Sequence, residues 1–391
     1  MKKHLFSAAL LTATTALSFP AFAQTAKTEV SNHPIELQVG GYMTWYGAYG
    51  SQRKETFGVG NYNHVDLIGD AEIYFSGKTK LDNGVEIGAM VQLEAGTDSD
   101  TSDQVIDETY MTVDSKIGRV IVGNVKNVSN QMSVTAPTVS TLGEQETDFR
   151  RIIAVPNGFY YNKATYAVLD DISTKMSYIT PTFGDLTFGV SLMPGNKQKG
   201  KDSNTLLRND GRRKPFRYGA DAAALFEHDF GGFNLSASAT YTVYKPNFHA
   251  NNVDLKEKEI NEYGGGLNIG IGNWTIGGSY HYTNMSRETA AQMHDIWNQT
   301  IAKGHAWDAG VKYTVGPVET SLTVLQSRAD NLAFRNKKDI YTQYQLSGKY
   351  NMMKGVNAFM DVAYMDFKSA LEDKRQSNKG PAVAIGMDLS F

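Results

Sequence analysis

Apolar and polar residues alternate with a period of two along much of this chain. From Trp274 to Thr283, the even positions are Trp, Ile, Gly, Tyr and Tyr, and the odd positions carry small or polar residues. Successive side chains of a β-strand point to opposite faces, so this stretch predicts a strand with one apolar face. The same alternation recurs from Phe216 to Phe230, with Phe216 placed on the apolar face, and from Phe233 to Tyr244.

The apolar faces have small residues in the middle and aromatic residues at both ends. A lipid-facing band flanked by aromatic girdles has this distribution in transmembrane barrels. A soluble β-sandwich also alternates, but its apolar face packs on a second sheet and fills the core with large side chains. The pattern therefore favours an antiparallel transmembrane β-barrel.

The connections between the alternating stretches differ in length in a regular way. Short turns carry the residues that tight hairpins need, and they alternate with long polar loops. Seven short turns and eight long loops predict sixteen strands, an even number with short turns at the periplasmic side and long loops outside. The short turns lie at residues 82–84, 116–118, 184–185, 231–232, 272–273, 316–317 and 354–355, and the long loops near 49–64, 96–104, 125–172, 194–215, 245–259, 285–304, 328–338 and 368–379.

The two ends of the strand series are expected to meet. The last stretch, Pro381 to Phe391, places apolar residues and the terminal Phe on one face, and it is predicted to pair with the first strand near Leu37 to Ala48. An unpaired edge within lipid would leave backbone groups unsatisfied. The longest interruption, residues 125–172, is the third external loop, and we expect it to fold inward and narrow the bore.

The N-terminus has the three parts of a signal peptide. Lys2 and Lys3 precede an apolar stretch, and small residues lead to a cleavage site after Ala23. Residues 24–391 are expected to form a single barrel domain. The formal net charge is −3 and cysteine is absent. The chain has no basic patch of the kind that nucleic-acid binding requires.

Four segments carry a family resemblance. They are GGYMTWYGAY in the first strand, DETYMTVDSKIGRVIVGN before the long loop, KMSYITPTFGDLTFGVSLMP after it, and AVAIGMDLSF at the end. In their order and spacing the chain resembles the Gram-negative general porins, most of all those of alphaproteobacteria. The resemblance implies a homotrimeric outer-membrane channel for ions and small hydrophilic solutes, surrounded by membrane lipid and lipopolysaccharide. It also implies that the third loop forms the eyelet and that Phe391 belongs to the assembly signal.

The long loop and the barrel wall supply the candidate pore residues. Charges that face a narrow pore set its ion selectivity, although the loop charges could equally fix the loop to the wall. Porins of this pattern often have Arg in a basic wall cluster where this chain has Asn124. The candidates at the constriction are Lys126, Glu144, Glu146, Asp148, Arg150 and Arg151, and those on the lumen wall are Asp70, Glu72, Glu94, Glu108, Arg119 and Arg217.

Other functions find less support in the sequence. Residues 98–103 form a run of oxygen ligands without the glycine and closing glutamate of an EF-hand loop, so a solvated loop tip and a divalent-ion site both remain open. The basic stretch 197–217 is suited to lipopolysaccharide, to anionic solutes or simply to solvent. Ser279 and His281 share a strand face without a nucleophile-like turn, so we expect neither catalysis nor a cofactor. The alternative to a general porin is a substrate-specific channel with a defined solute site.

Overall fold

In a computed structural model, the chain forms a barrel of sixteen antiparallel strands. The structure describes residues 24–26, 35–56, 62–95, 106–145, 148–169, 172–194, 216–246, 258–297, 300–371 and 374–391. The strands are β1 (Glu36–Gly50), β2 (Val65–Lys80), β3 (Glu86–Glu94), β4 (Ile106–Ser115), β5 (Gly118–Lys126), β6 (Ile172–Ile179), β7 (Leu186–Met193), β8 (Phe216–Asp229), β9 (Asn234–Pro246), β10 (Ile260–Ile271), β11 (Trp274–Asn284), β12 (Gly304–Val315), β13 (Val318–Asp330), β14 (Lys338–Met353), β15 (Val356–Lys368) and β16 (Asn378–Ser390).

Each strand pairs with its neighbours in the sequence, and β16 pairs with β1. The register of this closing pair runs from Ala382 opposite Gly50 to Ser390 opposite Tyr42. Two further backbone hydrogen bonds join Phe391 and Gly41, each 3.1 Å long. The three-residue strand Gln24–Ala26 pairs with β1 beyond this point. The predicted closure and strand number are confirmed.

Glycines form the seven short turns. Every predicted short turn contains a glycine with positive φ, a conformation that residues with a Cβ rarely adopt. Tight turns at one end and long loops at the other give the barrel the polarity that the loop lengths predict. The seven glycines are Gly84, Gly118, Gly184, Gly231, Gly272, Gly316 and Gly355.

Apolar side chains lie on the outer face of the barrel as the alternation predicts, except at one position. Outward side chains such as Leu67, Ile276 and Ile385 are exposed on the barrel surface. Phe216, which we placed on the outward face, is instead 2% exposed and packs against Tyr244 inside. The register between β8 and β9 shifts at the end of this pair, so strict alternation fails there.

Three short α-helices lie between strands in the part of the chain that the structure describes. The connection from β5 to β6 contains α1 (Val128–Gln131) and α2 (Phe149–Ile152), and the connection from β11 to β12 contains α3 (Arg287–Trp297). Within the described ranges, every helix is too short or too polar to cross a membrane. Residues 1–23, the expected signal peptide, lie outside the described residues.

Candidate functional site

The connection between β5 and β6 lies inside the barrel and contacts strands far from it in sequence. We call residues 127–171 the constriction loop. Its first part runs along β8 to β13, where wall side chains accept hydrogen bonds from loop backbone N–H groups. Ser129 donates to Asp221 on β8 at 2.8 Å, and Val139 donates to the Ser321 hydroxyl on β13 at 3.0 Å. The expected inward fold of the third external loop is confirmed.

Asp361 on β15 is the wall residue with the most contacts to the turn of the constriction loop. One carboxylate oxygen accepts hydrogen bonds from the Ser140 hydroxyl at 2.9 Å and from the Thr141 and Leu142 N–H groups at 3.1 Å each. Hydrogen bonds to a carboxylate are stronger than neutral ones, and all of these groups are largely shielded from water. Asp361 therefore fixes this turn firmly to the wall.

The returning part of the constriction loop is held by two further aspartates. Asp308 on β12 accepts from the Thr165 hydroxyl at 3.1 Å and from the Gln145 amide. Asp339 on β14 accepts from the Tyr160 N–H at 3.0 Å. An apolar cluster beneath this part contains Phe149, Ile153, Phe159, Tyr341 and Phe367.

A glycine permits a close approach of the constriction loop to the wall. Gly266 on β10 faces the Val134 carbonyl, and a Cβ at this position would lie 1.8 Å from the Val134 oxygen. No side chain fits at that distance, so the loop backbone rests directly on the β10 backbone. The Val134 N–H also donates to the Ser238 hydroxyl on β9 at 2.8 Å.

These contacts divide the lumen into two unlike sides. On β8 to β15 the inward side chains at the level of the loop are buried beneath it, and we call this side the covered wall. On β1 to β5 most of the charged and aromatic inward side chains stay half-buried and border the remaining space, and we call this side the open wall. Buried polar residues of the covered wall include Asp221, Thr242, Ser279, His281, Asp308, Gln343 and Asp361.

Carboxylates and tyrosines make up most of the open wall. Tyr42 donates to Asp70 at 2.8 Å, and Tyr74 donates to Glu72 at 2.7 Å. Carboxylate oxygens of Glu72, Glu94 and Asp107 all lie within 4.8 Å of one another. Their proximity concentrates negative charge at one level of the lumen.

Asp107 joins this group because of a break in strand pairing. The register between β3 and β4 shifts between Val91 and Leu93. The extra residue in β4 brings both Asp107 and Glu108 to the lumen. In a strand with strict alternation, only Glu108 would point inward. The Gln92 amide links Asp107, at 3.3 Å, to Glu72.

Arg119 and Lys126 are cations at opposite ends of β5 on the open wall. Arg119 forms an ion pair with Asp114 on the adjacent strand. Lys126 lines a cavity of about 110 Å³ together with Glu108 and Gln131. Asn124 faces the opposite way and accepts a hydrogen bond from the Thr174 hydroxyl at 2.6 Å. The position at which the family resemblance implied a wall arginine therefore does not reach the lumen in this chain.

The charged candidates of the constriction loop occupy different environments. Glu144 is 1% exposed and does not face the pore, which corrects its place among the pore residues. Burial raises its pKa to about 7, and the nearby charges of Asp308 and Asp361 add to the rise. The carboxyl is buried in the docked loop near Asp308 and Asp361 of the covered wall, so its protonation is coupled to loop docking.

The remaining loop candidates lie near α2. Arg151 is exposed and forms an ion pair with Asp148 at 3.6 Å, one helical turn away. Arg150 donates to the Tyr161 hydroxyl at 3.3 Å. Glu146 and the runs 98–103 and 197–215 lie outside the described residues, and for Arg217 only the backbone, in β8, is described.

Sequence reasoning missed the helix that covers the loop from above. Met285, Ala290 and Met293 of the α3 region pack with Tyr160 of the constriction loop and with Tyr244. Ser286 directly precedes this helix, and its hydroxyl accepts from the Thr289 N–H at 3.1 Å. A capping serine followed by apolar residues at helical spacing was the signal that could have revealed it.

A closed antiparallel barrel with an apolar outer band, a polar lumen and an inward loop defines a channel of the bacterial outer membrane. The chain belongs to the Gram-negative porin family, whose model matches residues 7–370. It is an outer-membrane channel for the passive diffusion of small solutes. No curated protein sequence matches the chain.

Solved porin structures share this fold. The anion-selective porin from Comamonas acidovorans is 14% identical, with a TM-score of 0.61, over 91% of this chain and 100% of that one. The outer membrane channel DcaP of Acinetobacter baumannii is 13% identical, with a TM-score of 0.59, over 94% and 99%. A porin refined at 1.8 Å resolution is 13% identical, with a TM-score of 0.57, over 91% and 100%.

Proposed function

We propose that this porin is a general diffusion channel that favours cations. The observation that carries the proposal is the acidic character of the open wall, which borders the space that the constriction loop leaves free. A charged wall of low dielectric raises the local concentration of counter-ions and lowers the energy of their passage. The carboxylates of this wall are Asp70, Glu72, Glu94, Asp107 and Glu108.

The placement of the basic residues near the pore supports the same preference for cations. Arg119 is neutralised by Asp114, so its contribution to the field in the lumen is small. Arg151 of the constriction loop is offset by Asp148 in the same way, which leaves acids on the open wall and Arg150 on the loop. This is the reverse of the basic wall that the family resemblance implied. The Comamonas acidovorans porin, named as anion-selective, shares the fold, so the sign of selectivity depends on wall residues rather than on the barrel.

Planar bilayers test the proposal through the zero-current potential in a potassium chloride gradient. We expect the wild-type protein to give large ohmic conductance steps and a potential of the sign that indicates potassium preference. The triple variant Glu72→Gln, Glu94→Gln, Asp107→Asn should reduce that preference by roughly threefold in permeability ratio, because charge near the narrow level is removed. Glu319→Gln, an inward acid on β13, is the control and should leave the ratio close to wild type. Chloride preference in the wild type, or no change in the triple variant, would contradict the proposal.

The proposed function also includes maturation of the chain and its assembly in the outer membrane. We propose that cleavage after Ala23 leaves one barrel domain, that Phe391 contributes to the assembly signal, and that the mature chain forms a homotrimer among lipid and lipopolysaccharide. The exposed apolar residues on the outer face support the lipid contact. Passage requires no catalytic group. Mass spectrometry of the outer-membrane protein tests the cleavage site, and cross-linking before denaturation tests the trimer.

A further inference from the structure

A second cavity lies on the periplasmic side of the acidic group of the open wall. Its volume is about 290 Å³, at the lower end of the range for small-ligand sites. It is formed by the periplasmic ends of β1 to β5. Its lining includes Lys78, Glu86, Met90, Tyr110, Asp114 and Arg119.

Lys78 and Glu86 place opposite charges on neighbouring strands of this cavity. In the strand register, Lys78 lies opposite Gly88, and Glu86 lies opposite Lys80. The two charged residues are therefore diagonal neighbours on the same face. Within the described part of the chain, neither forms an ion pair or a side-chain hydrogen bond, whereas Arg119 is engaged by Asp114. The ammonium and the carboxylate are both free to meet a solute.

The cavity also has an apolar surface, and a glycine leaves space next to that surface. Met90 is buried at its base, and Tyr110 lies on the adjacent strand. A Cβ at Gly88 would lie 2.7 Å from the Thr112 hydroxyl oxygen, so glycine keeps the space between the charges and Tyr110 open. Small-ligand sites combine such apolar surfaces with a few polar groups that fix orientation.

We propose that this cavity is a subsite for zwitterionic solutes of the size of a free amino acid. The solute carboxylate pairs with the Lys78 ammonium, the solute ammonium pairs with the Glu86 carboxylate, and an apolar side chain contacts Met90 and Tyr110. Tyr110, Thr112 and Arg119 also line the cavity beside Lys126, so the subsite continues toward the constriction. The proposal rests on the channel function but not on the cation preference of the constriction.

Single-channel recording of the full mature protein in planar bilayers tests the subsite. The probes are L-leucine, which carries both charges, and its methyl ester and N-acetyl derivative, which carry one charge each. We expect L-leucine to reduce the open-channel current at lower concentration than either derivative, and at lower concentration from the periplasmic side. Equal effects of the three probes, or no effect of L-leucine, overturn the proposal. The zero-current potential without probe still reports the cation preference, so the two proposals can fail separately.

Single substitutions test whether L-leucine blocks the channel by binding in this cavity. Lys78→Gln and Glu86→Gln should each weaken L-leucine block by about two- to fivefold, since each removes one partly solvated charge pair. Lys312→Gln is the matched control, because Lys312 is an inward lysine near the periplasmic end of β12 and outside the cavity. Each current is normalised to the open-channel current of the same variant. Loss of block in Lys312→Gln, or unchanged block in both cavity variants, overturns the assignment.

Discussion

The covered wall and the open wall are built from the same alternating strand pattern but use their polar residues differently. On the covered wall, Asp221, Asp308 and Asp361 accept hydrogen bonds from the constriction loop and are shielded from water. On the open wall, Asp70 and Glu72 bond to tyrosines of the wall itself and remain accessible. One set of carboxylates therefore determines the shape of the pore, and the other determines its charge. Changes to the constriction loop or to one wall alone should separate these two roles.

Deletion of Thr135 to Gln145 removes the part of the constriction loop that contacts β10 to β15. We expect the single-channel conductance to rise by roughly twofold and the ion selectivity to weaken, because the narrow level is lost. Barrel assembly, measured by heat-modifiable migration in gels, should persist because the strand pairing is unchanged. Unchanged conductance would show that the loop does not limit the bore.

Asp361→Ala weakens the covered wall where it holds the turn of the constriction loop. Three loop donors lose their acceptor, and each buried donor left unsatisfied costs about 1–3 kcal/mol, so loop docking weakens by several kcal/mol. We expect frequent subconductance steps and faster proteolysis within the constriction loop. Asp70→Ala on the open wall is the comparison. It should change the zero-current potential without adding subconductance steps to the open-channel current. The same noise in both variants would remove the distinction between the two walls.

Glu144 makes docking of the covered wall depend on pH. Its pKa is about 7 in the docked loop and near the ordinary glutamate value when the loop is released, so the docked state holds the proton more tightly. Docking is therefore strongest at low pH, weakens as the pH rises toward 7, and is lower by about 3 kcal/mol above that pH. Current noise in the wild type should be greater at pH 8 than at pH 5, and Glu144→Gln should reduce this difference. If the full difference in current noise persisted in the variant, titratable groups other than Glu144 would be responsible for it.

Gly266→Ala tests a close backbone contact. A methyl group near the Val134 carbonyl must displace the loop, at a cost of about 1–3 kcal/mol for overpacking. We expect a modest change in conductance with no change in the sign of selectivity. Gly348→Ala adds the same methyl group to an outward position with open space and should behave as wild type. Equal conductance in both variants would place the loop farther from β10.

Much of this organisation can be predicted from the sequence. Period-two alternation and glycine turns predict the strand number, the polarity of the barrel and the inward direction of Asp70, Glu72, Glu94 and Glu108. These features depend on local backbone geometry, which neighbouring residues specify. The side of the lumen that the constriction loop covers depends instead on contacts between residues more than a hundred positions apart, such as Ser140 with Asp361.

Local irregularities limit the prediction further. Register shifts near Phe216 and Asp107 move individual side chains to the other face, and neither residue has a sequence signal that marks the shift. The burial of Glu144 follows from loop docking, since a charged residue in a polar loop is expected to face water. The charge pattern of the pore is therefore predictable for regular strands and not for the loop.

The constriction loop is fixed largely through its own backbone. The donors to Asp221, Asp339, Ser238 and Ser321 are loop N–H groups, which every residue except proline possesses. Substitution of loop side chains that face the lumen leaves these hydrogen bonds in place. Natural variation can therefore alter the solute preference of the channel in single mutational steps while the aperture keeps its shape, and chemistry and geometry can evolve separately.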